Sequence, residues 1–243
     1  MVKAEEASSE DKGRTDEKPA WYKNWWGVLI TIVIFFILFL LICGVLGKPK
    51  WVKIEVSNCY VALLAAGFTY LFLRVLRVKS RVLKFVFGLL WLLLLPNTAY
   101  LFTSLGHIIY QWNNTVSLTG RMILLIEYLL MGLFAIMAFI FSFFPFEIII
   151  EQVNLFQKRK VTWLILFNFL VAFGLVLGRF EHINFYVVFT NPLKVLELAI
   201  NIFVTFDLLE LTALFGLLCN VIYFLFRGLL LQKIKRYFHI LDY

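Results

Sequence analysis

Charge is what this sequence has least of. Only 16% of its 243 residues are Asp, Glu, Lys or Arg, against 62% hydrophobic, and mean hydropathy is +0.88. A soluble domain of ordinary usage carries roughly 25% charge and about 45–50% apolar residues, so a water-soluble globule is excluded. Cysteine is also scarce: Cys43, Cys59 and Cys219 all fall within or beside apolar runs, with no CxxC or Cys/His spacing. That excludes a metal framework of cysteines. A disulfide between Cys43 and Cys59 stays open, but buried thiols acting as small apolar residues fit the setting better. There is no Gly-rich phosphate loop and no G-x-S-x-G nucleophile elbow. No cofactor is therefore expected, and no reaction class is announced by a motif.

What is present is a succession of long apolar runs. Spans of about 20 residues cross the hydrocarbon core, and six can be drawn, at about 27–47, 56–73, 85–105, 122–146, 161–178 and 205–226. The expected fold is an all-α membrane protein, a bundle of about six transmembrane helices with short loops and no room for a separate soluble domain. Residues 1–24 mix Lys3, Lys12, Arg14, Lys18 and Lys23 with six acids. They cannot bury enough apolar surface to order themselves, so a disordered tail is expected. Trp21, Tyr22, Trp25 and Trp26 then mark an interface belt. The first run is too long for a cleaved signal peptide and lacks a small-residue cleavage site. Leu40-Leu41-Ile42-Cys43 is a poor match to a lipoprotein box, because Ile precedes the cysteine. The transmembrane domain is taken as 25–230 and a basic tail as 231–243.

In the third span Pro96 removes a backbone donor and disfavours helix at Leu95. The span is expected to end, kink or unwind around Leu95-Pro96-Asn97. Between Lys84 and Arg121 there is no Lys, Arg, Asp or Glu. Asn97 to Tyr110 can therefore stay at membrane depth as a re-entrant or interfacial segment.

The net charge of +8 raises nucleic acid as a partner, but the basic residues lie in short clusters beside apolar runs, which membrane orientation explains. No nucleic-acid partner is expected. Seventeen Lys and Arg fall on the amino-terminal side of the six spans: five in the tail; Arg74, Arg77, Lys79, Arg81 and Lys84; Lys158, Arg159 and Lys160; Arg227, Lys233, Lys235 and Arg236. Six fall on the other: Lys48, Lys50, Lys53, Arg121, Arg179 and Lys194. The asymmetry predicts a multi-pass plasma-membrane protein with both termini cytoplasmic.

With that orientation the polar residues near the spans collect on the extracytoplasmic half: His107, Glu127, Arg179, Glu181, His182, Asp207 and Glu210. Ionisable groups at membrane depth are costly, usually face the bundle interior and tend to pair. Arg179 is the obvious counter-charge for Glu127, Asp207 or Glu210. If it pairs with one at membrane depth, Arg179→Ala should cost several kcal/mol. The functional reading is an outward polar cavity for a substrate, a lipid headgroup or protons. The bland reading is interfacial wetting, with Asp207 and Glu210 favoured simply by lying early in their helix. Glu127, about two turns in, fits a buried pairing role. His107 and His182 lack helical or hairpin spacing, so no metal is expected. Asn113-Asn114-Thr115 fits a glycosylation pattern that occurs often by chance. The 27 Phe residues read as lipid-facing and core packing.

Two segments carry a resemblance. Leu95-Pro96-Asn97-Thr98-Ala99-Tyr100-Leu101-Phe102-Thr103-Ser104-Leu105, with His107 soon after, is similar to the "LPNxxY…TDL.H" stretch of DUF1361, an uncharacterised bacterial membrane family. Leu177-Gly178-Arg179-Phe180-Glu181-His182-Ile183-Asn184, then Asn191-Pro192, is similar to its "LGRF.R.NSWD…NP" stretch. The two cover under a fifth of the chain, in the family's order. The resemblance implies a bacterial plasma-membrane protein with no established activity. It implies one shared site, adding Asn97, Tyr100, Thr103, Asn184 and Asn191 to the polar residues above. Two departures stand out: Ser104 and Val187 occupy positions where the family pattern has aspartate. If those aspartates do chemistry, this chain has lost it or changed substrate.

Three function classes follow. The first is an envelope protein with an outward polar site, either an enzyme on a lipid-linked substrate or its accessory subunit. The second is a small transporter or channel, disfavoured because the inner halves of the spans look apolar. The third is a non-catalytic or regulatory partner of another membrane protein. Besides the lipid bilayer, the expected partners are a lipid-linked or envelope substrate or another membrane protein.

Overall fold

In hydrocarbon every backbone N–H and C=O must find its partner within the segment, which favours helix for each apolar run. The computed structural model describes residues 51–179 and 187–238, with positions 30, 33, 34 and 36–38; the side chains of 51–55, 154, 155 and 229–238 are outside that description. Among the described residues the elements are all helices: α1 (Trp51–Val75), α2 (Arg81–Ser104), α3 (His107–Asn114), α4 (Leu118–Gln152), α5 (Asn154–Gln157), α6 (Lys160–Arg179), α7 (Val187–Thr190), α8 (Pro192–Val204) and α9 (Phe206–Phe238). Five helical stretches are long and apolar enough to cross a membrane: Val56–Val75, Arg81–Asn114, Leu118–Gln152, Lys160–Arg179 and Phe206–Gly228. The protein is thus an all-α bundle of the membrane class. The expected first span, 27–47, lies largely outside the described residues. Its described positions are helical, and Phe36 is buried, edge-on to Tyr60 at 4.9 Å and tilted against Phe134 at 6.0 Å.

Helix starts follow capping chemistry. Ser80 accepts from the Leu83 amide at 3.4 Å, Ser117 from Gly120 at 3.1 Å, and Asn191 from Lys194 at 3.2 Å, the last with Pro192 just inside α8. Each satisfies an amide that has no partner in the first turn.

Of the outcomes expected at Pro96, an end and an unwound segment are set aside, because α2 continues through it to Ser104. The proline has no N–H for the carbonyl of Leu92, yet the next two side chains bond back onto the helix. Asn97 Nδ2 donates to the Leu94 carbonyl at 3.2 Å, and Thr98 Oγ1 to the Leu95 carbonyl at 2.7 Å. Opposite lies Gly174 of α6, where an added Cβ would fall 2.6 Å from Pro96 Cγ. An unwound segment would expose several backbone groups to hydrocarbon, which costs more than one missing rung. The break comes later, at Leu105-Gly106, and the short α3 follows.

Consecutive long helices run antiparallel, so α2 and α6 are parallel to each other, as are α4 and α9. The core is aromatic. Trp91 stacks between Phe72 at 5.3 Å and Phe167 at 5.9 Å, and Phe167 stacks on Phe146 at 3.7 Å. Phe143 joins Phe167 to Tyr223. The Trp91 indole N–H also donates to the Ser142 carbonyl at 2.7 Å. Lipid tails are as apolar as Leu, so helix association depends on close packing. Buried Ala62, Ala65, Ala66, Ala99, Ala135, Ala138 and Ala172 let the backbones approach. Cys59 and Cys219 are buried; Cys43 lies outside the described residues.

Candidate functional site

The parallel pairing of α2 and α6 brings their carboxyl ends together. Arg179, the last residue of α6, donates from Nη1 to the Tyr100 hydroxyl at 2.7 Å, with its guanidinium 4.7 Å from the centroid of that ring. Its Nη2 lies 3.5 Å from Nε2 of His107, the first residue of α3. Three segments thus converge on one cation: a turn near the end of α2, the start of α3 and the end of α6. Thr103 bonds its hydroxyl back to the Tyr100 carbonyl at 2.7 Å.

The acid partner expected for Arg179 is not found among the described residues. Asp207 and Glu210 are exposed near the start of α9, where the helix N-terminus favours an acid without further contacts. Glu127 is buried in α4, and Asn191 is the exposed cap of α8. Glu181, His182 and Asn184 lie outside the described residues. The structure therefore brings together Tyr100, His107 and Arg179, with Thr103 and Asn97 on the same stretch of α2. Ser104 is fully buried and accepts from Asn58 Nδ2 of α1 at 3.2 Å. Among the described residues no group of three His, Cys, Asp or Glu side chains is placed to hold a metal.

Beside this cluster a cleft of about 250 Å³ runs between α2 and α6. Leu92, Pro96, Asn97 and Tyr100 form one wall, Phe173, Gly174 and Leu177 the other, and Val188 of α7 and Val195 of α8 close over it.

A second polar cluster, near the opposite end of the helices, escapes the sequence reading. Glu147 of α4 is fully buried; its Oε1 accepts from the Tyr223 hydroxyl and, at 2.5 Å, from Arg227 Nε, both on α9. Asn168 of α6 donates to Asn220 Oδ1 of α9 at 3.1 Å, and Glu151 pairs with Lys160. Glu147 and Arg227 each fall one residue beyond an assigned span, so both read as loop charges. The available signal was spacing: Glu147 and Glu151, like Tyr223 and Arg227, are four apart and share a helix face.

No curated protein and no solved structure matches the chain. The model of one family, described as a protein of unknown function (DUF1361), matches residues 57–222. That range contains α2, α3, α6 and most of α1 and α9, including Tyr100, His107 and Arg179, and the chain belongs to this family.

Proposed function

We propose that the protein is a multi-pass plasma-membrane protein with cytoplasmic termini, whose outward end carries a polar binding site serving cell-envelope or lipid-linked substrates. It acts there as an enzyme or as an accessory subunit. The observation that carries this reading is the convergence of Tyr100, His107 and Arg179 at the helix ends opposite the basic clusters of Arg74–Lys84, Lys158–Lys160 and Arg227. Orientation rests on the excess of Lys and Arg on the other side. A cation at membrane depth, held by a phenol and an imidazole, is suited to receiving an anion.

A small transporter is the second reading, and the buried Glu147, Tyr223, Asn168 and Asn220, with the partly exposed Arg227, favour it by adding polar groups to the inner half. Phe72, Trp91, Phe167 and Phe146 form an aromatic stack beside the inner cluster, and its one polar atom, the Trp91 indole nitrogen, is already bonded to the Ser142 carbonyl. That apolar packing favours the binding-site reading.

Cysteine accessibility in intact cells tests it. Single cysteines at Asn97, His107, Arg179 and Asn191, in a chain lacking Cys43, Cys59 and Cys219, are challenged with an impermeant thiol reagent. Labelling of the four from outside is the expected result. Labelling only after permeabilisation inverts the topology and removes the outward site.

A further inference from the structure

We propose that the cleft between α2 and α6 takes the hydrocarbon chain of an amphiphile whose phosphate headgroup is held by Arg179. This deepens the binding-site reading and rests on it for the role of the Tyr100–His107–Arg179 cluster.

Three observations combine. The cleft is apolar: of its lining side chains only Asn97 and Tyr100 are polar, and Asn97 already bonds to its own helix. Its rim lies midway along α2 and α6, at the level a bilayer would surround. Leu92 and Leu170, both lining residues, are 36% and 49% exposed on the flank of the bundle, so the opening is lateral rather than toward water. A water-soluble metabolite would have to cross hydrocarbon to enter, whereas a membrane lipid needs only to diffuse sideways. At about 250 Å³ the cleft is smaller than the roughly 300–1,000 Å³ that encloses a whole small ligand. That suits one end of a long chain.

The third observation is the charge at the end of the cleft. Tyr100 belongs to the lining and accepts from Arg179, whose neighbour Gly178 also lines it. The guanidinium has five N–H donors; a phenol and an imidazole engage two of its nitrogens, and no described carboxylate pairs with it. A cation at this depth with no carboxylate partner among the described residues is costly. A phosphate ester supplies the counter-charge and matches the guanidinium fork in two parallel hydrogen bonds. A choline headgroup would bring a second cation toward Arg179, so zwitterionic lipids are selected against.

The test uses the full chain in nanodiscs of phosphatidylcholine doped with a phosphatidic acid probe carrying a diazirine on its acyl chain. The same chain on a phosphatidylcholine headgroup is the comparison. The phosphatidic acid probe should crosslink to Leu92, Leu170, Phe173 or Leu177 in preference to the phosphatidylcholine probe. Arg179→Gln should cut that crosslinking about tenfold, the effect of losing one charge-assisted pair. Leu170→Trp obstructs the rim at an exposed position and should lower it for either headgroup. Equal crosslinking by both probes, insensitive to Arg179→Gln, would reduce the cleft to ordinary lipid contact and overturn the proposal. Full displacement by millimolar inorganic phosphate would make free phosphate the ligand and overturn it as well. Nanodiscs expose both faces, so this result is independent of orientation. Failure of the outward topology in cells and failure of lipid binding in the cleft are thereby separable.

Discussion

The buried carboxylate of Glu147 makes a quantitative stability prediction. One oxygen, Oε1, accepts from both Tyr223 and Arg227, which lie one turn apart on α9, so the ion pair and its supporting hydroxyl tie α4 to α9. Glu147 is fully buried, whereas the Arg227 side chain keeps 27% of its exposure. Arg227→Ala strands a buried charge, a change that costs about 3–5 kcal/mol in proteins. Partial exposure of the arginine moves the expectation to the low end, about 3 kcal/mol, or on the order of a hundredfold in the unfolding equilibrium. Tyr223→Phe removes only a hydroxyl donated to a charged acceptor and should cost about 1.5–3 kcal/mol. The decisive variant is the double mutant. Glu147→Gln in the Arg227→Ala background abolishes the stranded charge and should recover more than half of the loss, since replacing both ions is often close to neutral. Denaturant titration in a fixed detergent micelle reads all three. If Arg227→Ala costs under about 1 kcal/mol, or if the double mutant is no more stable than the single, the carboxylate is not held as a desolvated ion and the reasoning fails.

Three further outcomes follow. Gly216→Ala places a Cβ 2.1 Å from Phe169 Cδ1 and should cost about 1–3 kcal/mol by overpacking; Phe169→Leu should restore part of it in the same titration. Arg179→Ala should cost no more than about 2 kcal/mol, since it breaks a bond to a neutral phenol and a cation–π contact rather than a buried ion pair; a loss of several kcal/mol would point to an acid partner instead. Asn220→Leu severs the Asn168 contact between α6 and α9 and should cost about 0.5–2 kcal/mol, the range for interhelical hydrogen bonds in membranes, measured by thermal unfolding in detergent.

Apolar length and charge scarcity are properties of single segments, and they sufficed for the all-α membrane class and for the helices of the described spans. Family membership was also legible, in the Leu95–Leu105 and Leu177–Asn184 stretches. Arg179 stood out as a cation on the side of the spans that carries few of them. Its partners did not. Tyr100 bonds to it across 79 positions, and that meeting depends on how far parallel α2 slides against α6, which periodicity in either helix leaves free. The same freedom hid Glu147: a charge one residue past a span boundary is indistinguishable from a loop charge until α9 is seen beside α4. The choice at Pro96 among an end, a kink and an unwound segment was open in the sequence for a related reason. Propensity counts the missing N–H, whereas the side chains of Asn97 and Thr98 and the close approach of Gly174 decide whether the helix continues. The sequence by itself determined which long apolar segments are helices able to cross a membrane. Only tertiary packing decided which polar groups meet, because apolar surfaces of similar character do not specify one another's register, whereas a few small residues, aromatic stacks and buried donors do.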